Sequence, residues 1–317
     1  MNILIFGSGA VGSVLGGLLA RMGHSVSLIG RSWHLDVIRK QGLTITGLWG
    51  EYRIRTFYLY TSVEEIPTEK RHFDLILLTV KSFDTETAVN QLIPLISPET
   101  MVISFQNGLG NIEALLKKIR PEQCLIGRII TGCELSPGAV KVTVSADDLL
   151  IGALPGIHTV RSPDSAVRLF RLSKIPARAT DKIVSEIWLK VVYNCALNGL
   201  CSVRGIPYGK ILESPKGPET LRHVVAECFE VAHREGIVLD PGTADAYFDH
   251  LVKQLIPVTA AHFPSMLRDL QRGKRTEIEA LNGAICHLGQ KLGVLTPENQ
   301  RITDLIRQKT PQDSLKS

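Results

Sequence analysis

The sequence predicts an α/β chain whose first half is a parallel-sheet domain and whose second half is all helix. Two observations predict it: short apolar runs ending in glycine or polar turns alternate with helical periodicity up to about residue 180, and only long helical periodicities follow. At 317 residues the chain exceeds one ordinary domain, so two cores are expected, 1–180 and 181–317, with the boundary in the polar stretch Ala177-Arg-Ala-Thr-Asp181.

Asn2 to Phe6 is an apolar run too short for a helix and bounded as a buried strand should be. Ala10 to Met22 repeats its apolar residues at helical spacing, and Gly23 stands where a helix C-terminal cap belongs. His24 to Ile29 supplies a second strand and completes a β-α-β unit. Asp74 to Val80, Met101 to Phe105 and Leu125 to Ile130 continue the series, and Leu43 to Thr46 and Tyr52 to Tyr60 also read as strands. Ala139 to Ser145 followed by Leu149 to Ile151 reads as a hairpin near a sheet edge. Helices are expected at Asp181 to Val203, Pro218 to Glu235, Gly242 to Leu255, Arg275 to Leu292 and Pro297 to Lys309, with a frayed tail from Thr310.

Gly7-Ser8-Gly9-Ala10-Val11-Gly12 is a G-x-G-x-x-G motif between the first strand and the first helix. In that setting the glycines permit a tight turn, close backbone approach to a pyrophosphate and tight helix packing, while the helix N-terminus favours an anion. The fold is therefore expected to be of the Rossmann type and these six residues to bind a dinucleotide. Where an NAD-preferring fold carries an acidic residue after the second strand, this chain has Arg31, whose guanidinium suits a 2′-phosphate, so NADP(H) is the expected cofactor. Lys81 and Asn107 each follow a strand at its C-terminal end, the edge where ligands bind in open α/β sheets.

The composition, 44% hydrophobic and 21% charged with a net charge of +5, is that of a globular protein suited to small anions, not of a dedicated nucleic-acid surface. The first twenty residues lack charge, but no basic segment precedes the apolar run, no small-residue cleavage pattern follows it, and three of its five glycines belong to the turn motif, so neither a leader nor a membrane span is expected and a cytoplasmic location is. Cys124, Cys133, Cys195, Cys201, Cys228 and Cys286 form no C-x-x-C pair and are read as reduced packing residues; no histidine spacing suggests a metal.

In the helical half, Lys190, Asn194 and Asn198 recur at i, i+4 and i+8, placing an ammonium and two amides on one face among apolar neighbours. A lysine on such a helix is by itself ordinarily a solvated residue, whereas two asparagines among Val191, Val192, Ala196 and Leu197 call for hydrogen-bond partners. Trp188-Leu-Lys190 with Asn194 and Asn198, and Ser265-Met-Leu-Arg-Asp269 with Arg275-Thr-Glu277-Ile-Glu279 and Asn282-Gly283, resemble the two signatures of the ketopantoate reductase (2-dehydropantoate 2-reductase) family, and the likeness spans essentially the whole chain.

The resemblance implies NADPH-dependent reduction of ketopantoate to pantoate, a step toward pantothenate and coenzyme A. It implies Lys190 as general acid and Glu277 as its carboxylate partner. Asn107, Asn194, Asn198 and Ser265 would bind substrate, Asp269 would support the site, and Arg31 and Lys81 would contact cofactor or substrate. It also implies a homodimer through the helical half. Reducing a ketone leaves an alkoxide that a nearby ammonium stabilises and protonates, and burial lowers a lysine's pKa toward that task. The substrate is expected in the cleft between the two domains.

The chain departs from the family pattern at Gly199-Leu-Cys201-Ser202, where Pro-Leu-Thr is usual, and at Thr131 to Pro137, which lacks a histidine. The first departure is expected to alter the wall beside the lysine helix and both bear on substrate identity, so a different 2-oxo acid or an imine stands as the alternative substrate. A non-enzymatic NADP(H)-sensing regulator is a third reading, against which the retained Lys190 and Glu277 argue.

Overall fold

The computed structural model describes residues 1–311. The chain divides into two compact units, Met1–Gln106 with Asn111–Ile183, and Asn107–Gly110 with Val184 onward. The first is α/β and the second, among the described residues, is helical.

Twelve strands lie in the first unit: β1 Asn2–Phe6, β2 Ser25–Ile29, β3 Leu43–Gly47, β4 Tyr52–Ile54, β5 Tyr58–Tyr60, β6 Leu75–Leu78, β7 Met101–Ser104, β8 Cys124–Arg128, β9 Thr131–Ser136, β10 Ala139–Ser145, β11 Leu149–Gly152 and β12 Ala177–Ala179. Eight form one sheet in the order β12-β11-β8-β7-β6-β1-β2-β5. Its pairs from β8 to β5 are all parallel, and β11 runs antiparallel to β8. The apolar runs become central strands because both faces are covered: Ile3, Leu4 and Ile5 of β1 and Ile76, Leu77 and Leu78 of β6 are fully buried. Each such side chain contributes about 1.5–3 kcal/mol of transfer free energy. The chain reverses sheet direction between β1 and its neighbours β2 and β6, the switch point that opens a crevice at the carboxyl ends of the strands.

The remaining strands form a second sheet, β4-β3-β10-β9. Two expectations fail here. The segment 52–60 is not one strand: β4 joins the small sheet and β5 the large one. Nor do Ala139–Ser145 and Leu149–Gly152 form a hairpin, because β10 pairs with β9 and β3 while β11 pairs with β8 and β12. The true hairpin is β9–β10, turning at Pro137-Gly138, where Gly138 takes the left-handed conformation (φ 67°) that glycine tolerates.

In the second unit, helices Gly217–Arg234 and Pro297–Lys309 match the sequence expectation. Three others do not. Asp181 to Val203 is α-helical over Ile183–Tyr193, a π-helix over Asn194–Gly199 and α-helical again over Leu200–Arg204. Gly242 to Leu255 is likewise interrupted, with α-helix at Ala244–His250 and a π segment at Leu251–Leu255. Arg275 to Leu292 begins outside any helix or strand, passes a 3-10 turn at Ile278–Ala280, and becomes helix only at Asn282, because Leu281 (φ −110°, ψ −107°) breaks the run. Thr310 is buried and its hydroxyl donates to the Ile306 carbonyl at 2.9 Å, so it is not frayed; residues 312–317 lie outside the described residues. No helix among the described residues is long and apolar enough to cross a membrane.

Candidate functional site

The glycine motif leaves β1 as a tight turn and enters the Ala10–Arg21 helix. Gly7 has φ 108°, open to glycine and costly for other residues, and its N–H and that of Ser8 both donate to the Ile29 carbonyl at the end of β2. A Cβ on Gly7 would lie 2.7 Å from the Val80 nitrogen, and one on Gly12 would lie 2.2 Å from the Gly7 carbonyl oxygen. Those two glycines are demanded by packing. Gly9 differs: a Cβ there would meet no atom within 4 Å, so this residue keeps space open over the turn without any packing need. Ala10 and Val11, half-buried, form the first turn of the helix. An open space bounded by a glycine turn and a helix N-terminus fits a diphosphate.

The turn has polar supports that sequence reasoning missed. Thr79 Oγ1 donates to the Gly7 carbonyl at 2.7 Å. Ser13 Oγ lies 3.2 Å from the Ser8 carbonyl and 3.0 Å from His34 Nε2, and His34 Nδ1 accepts from the Gly138 N–H at 3.1 Å. His34 is buried, which pushes its imidazole below the ordinary value; the Ser136 backbone opposes this more weakly. The signal for this support was a polar residue, Ser13, on the buried face of an otherwise apolar helix. Arg31 is exposed at the end of β2, where it precedes the Ser32–Gln41 helix, and Lys81 is half-buried after β6.

The second cluster belongs to the helical unit, and Asn107 belongs to it too. The loop 107–110 is held there by the Leu109 N–H, which donates to the Ala280 carbonyl at 2.9 Å, and by Gly108 (φ 87°), where a Cβ would strike that same carbonyl at 2.5 Å. Lys190 Nζ donates to Asn107 Oδ1 at 2.7 Å, and Asn107 Nδ2 lies 3.4 Å from Glu277 Oε2. An ammonium and a carboxylate are thus bridged by one amide. Glu277 is only 6% exposed, a burial that a carboxylate tolerates when donors surround it.

Asn198 and Ser265 also come together. Asn198 Nδ2 donates to Ser265 Oγ at 3.1 Å, and its Oδ1 accepts from the Met266 N–H at 3.1 Å, so the buried amide holds the first residues of the Ser265–Gln271 helix. Asn194 is buried within the π segment, and Asp269 is half-buried on the Ser265–Gln271 helix. The equal spacing expected for Lys190, Asn194 and Asn198 does not persist as one straight face, because the π segment begins at Asn194.

Of the departures from the family pattern, Gly199 to Ser202 face inward, while Thr131 to Pro137 are half-buried or exposed. A Cβ on Gly199 would meet Asn282 Oδ1 at 2.5 Å and Ile302 Cγ2 at 3.0 Å, and Cys201 and Ser202 are buried. Leu200 and Cys201 belong to the core of the helical unit, directly after the π segment that carries Asn194 and Asn198. Burial pushes the Cys133 and Cys201 thiols up to about 12, and burial with the neighbouring Cys228 raises Cys195. Thiols held protonated in this way are poor nucleophiles. All six cysteines are free, four of them buried.

The family model described as ketopantoate reductase PanE/ApbA matches residues 3–156, and its C-terminal counterpart matches residues 182–310. The chain belongs to the ketopantoate reductase family. A relative from Aquifex aeolicus (strain VF5), a 2-dehydropantoate 2-reductase, is 36% identical over 98% of this chain and 97% of its own length. One of the same name from Pyrococcus horikoshii is 33% identical over 98% and 97%. Among solved structures, a PanE/ApbA family ketopantoate reductase from Ralstonia eutropha JMP134 superposes with a TM-score of 0.86 at 28% identity, covering all of both chains. D-mandelate dehydrogenase in its ternary structure with NADH and anilino(oxo)acetate reaches 0.88 at 29% identity, over 100% of this chain and 99% of that one. Membership of the ketopantoate reductase family makes the chain an oxidoreductase with a Rossmann-type fold and a helical C-terminal region.

Proposed function

We propose that the protein reduces 2-dehydropantoate to pantoate with NADPH, on the path to pantothenate and coenzyme A. The bridge Lys190–Asn107–Glu277 carries the reading: a proton donor and a buried carboxylate are fixed on either side of one amide. NADPH, when held by the glycine turn, would supply the hydride for the 2-oxo carbon. Lys190 stabilises the negative charge that develops on the carbonyl oxygen and passes a proton to it, as electrostatic and general-acid catalysis together. Asn107 orients the ammonium through its carbonyl oxygen, and Glu277, held by the Asn107 amide, accepts from a substrate hydroxyl or from the ammonium. Asn194, Asn198 and Ser265 bind the substrate's polar groups, with Asp269 supporting them. Gly7, Ser8, Gly9, Ala10, Val11 and Gly12 hold the diphosphate, Arg31 takes the 2′-phosphate, and Lys81 and Asn107 reach toward cofactor or substrate.

Loss of NADPH absorbance, followed with 2-dehydropantoate and a panel of other 2-oxo acids, tests this directly. Turnover of 2-dehydropantoate above all others, abolished in Lys190→Ala, is the expected result. The likeness to D-mandelate dehydrogenase favours one alternative, the same chemistry on another 2-oxo acid, which turnover of a different panel member would establish. NADPH binding without turnover of any 2-oxo acid would overturn the enzymatic proposal in favour of a cofactor sensor.

A further inference from the structure

The helix that carries Lys190 changes its winding just after it. Ile183–Tyr193 is α-helical and Asn194–Gly199 is a π segment. A π turn takes in an extra residue, so it re-aims each side chain beyond it relative to those before. The turn therefore decides how Asn198 is directed with respect to Lys190, and a side chain from outside the helix holds it. Asn282, fully buried, donates from Nδ2 to the Cys195 carbonyl at 3.2 Å and to Asn299 Oδ1 at 2.9 Å.

The orientation of that amide follows from a carboxylate behind it. Glu227 Oε1 accepts from the Glu298 N–H at 2.8 Å, and Oε2 accepts from the Asn299 N–H at 2.9 Å and from Asn299 Nδ2 at 2.7 Å. A carboxylate only accepts, so the Asn299 NH₂ faces Glu227 and its carbonyl oxygen faces Asn282. Asn282 must then present its NH₂, whose second proton goes to Cys195. Room for Asn282 exists because residue 199 has no side chain: a Cβ on Gly199 would lie 2.5 Å from Asn282 Oδ1. Asn282 also follows Glu277 after a single 3-10 turn, Ile278–Ala280.

We infer that Asn282 is a positioning residue for the reduction, pinning the π turn and tying the helix of Lys190, Asn194 and Asn198 to the segment of Glu277, with Glu227 setting the direction of its amide. The inference rests on the roles proposed above for Lys190 and Glu277.

The test compares Asn282→Ala and the milder Glu227→Gln with the unmodified enzyme, each well below its melting temperature. The measurements are kcat and KM for the oxo acid, Kd for NADPH, and backbone hydrogen exchange over residues 194–204. Displacement of a catalytic group by about 1 Å can cost about a hundredfold in rate, so kcat should fall about tenfold or more in Asn282→Ala and by a smaller factor in Glu227→Gln. NADPH affinity should hold, and exchange should quicken over 194–204. Unchanged kcat in folded variants, unchanged exchange, or a loss of rate that merely follows the unfolded fraction would overturn the inference. If Asn282→Ala does not fold, Glu227→Gln carries the same comparison. Should Lys190→Ala retain full activity, the catalytic reading fails separately, and the exchange comparison still decides whether Asn282 holds the turn.

Discussion

Gly9→Ala separates a ligand effect from a folding effect. Gly9 has φ −72° and ψ −163°, a conformation open to alanine, and its added methyl would meet no protein atom within 4 Å. Stability should therefore change by no more than about 0.5 kcal/mol. The methyl enters the space assigned to the diphosphate. Loss of one charge-assisted hydrogen bond there costs about 1.5–3 kcal/mol, which is about a ten- to hundredfold rise in the NADPH Kd. Gly12→Ala is the contrast: its methyl would lie 2.2 Å from the Gly7 carbonyl oxygen and 2.6 Å from Thr79 Oγ1, so overpacking of about 1–3 kcal/mol should lower the melting temperature as well as affinity. Fluorescence titration with NADPH and thermal melts of both variants make the measurement. A Gly9→Ala protein that melts like the parent and binds NADPH equally well would refute the assignment of that space.

Three further outcomes are expected. Lys190→Ala should lower kcat by about 10²–10⁴ in steady-state assays while NADPH still binds, since only the proton donor is removed. Arg31→Ala should weaken NADPH binding by about tenfold or more and leave NADH binding nearly unchanged, measured by parallel titrations. Burial alone would raise the Asp147 carboxyl, but the bond and charge of Arg128, helped by the Asp148 N–H and Arg178, outweigh it and leave the group below its ordinary value. The stability it contributes is present above the unfolded pKa of about 3.9 and is lost as pH falls through the folded value. Asp147→Asn should thus be destabilised at neutral pH and lose less stability on acidification below about pH 4 than the parent, and parallel acid-melting curves would contradict this.

The large sheet was legible because burial on both faces turns its strands into apolar runs, as in Ile3-Leu-Ile5 and Leu75-Ile-Leu-Leu78. The small sheet was not, because β9 (Thr131–Ser136) is mostly half-buried or exposed and has no such run, which left β10 to be paired with the wrong neighbour. Lys190, Glu277, Asn107 and the glycine motif were all singled out from the sequence. Their supports were less visible. Hydrophobic periodicity is nearly the same for an α-helix and for one with a single π turn, so Asn194–Gly199 passed as ordinary helix. Asn282 entered the sequence reading only as part of the second family signature, with no role of its own, and its contacts with Cys195 and Asn299 connect positions far apart in the chain that no local pattern joins.

The membership of Asn107–Gly110 in the helical unit has a practical consequence for module exchange. A chimaera cut once near residue 183 would look clean on a linear map, yet it would pair one parent's lysine helix with the other parent's residue 107. The Ala280 carbonyl that receives the Leu109 N–H, and that leaves no room for a side chain at position 108, would then face a loop it was not selected to fit. Grafts that carry 107–110 together with 184–311 should transplant substrate preference more faithfully than grafts made at one crossover.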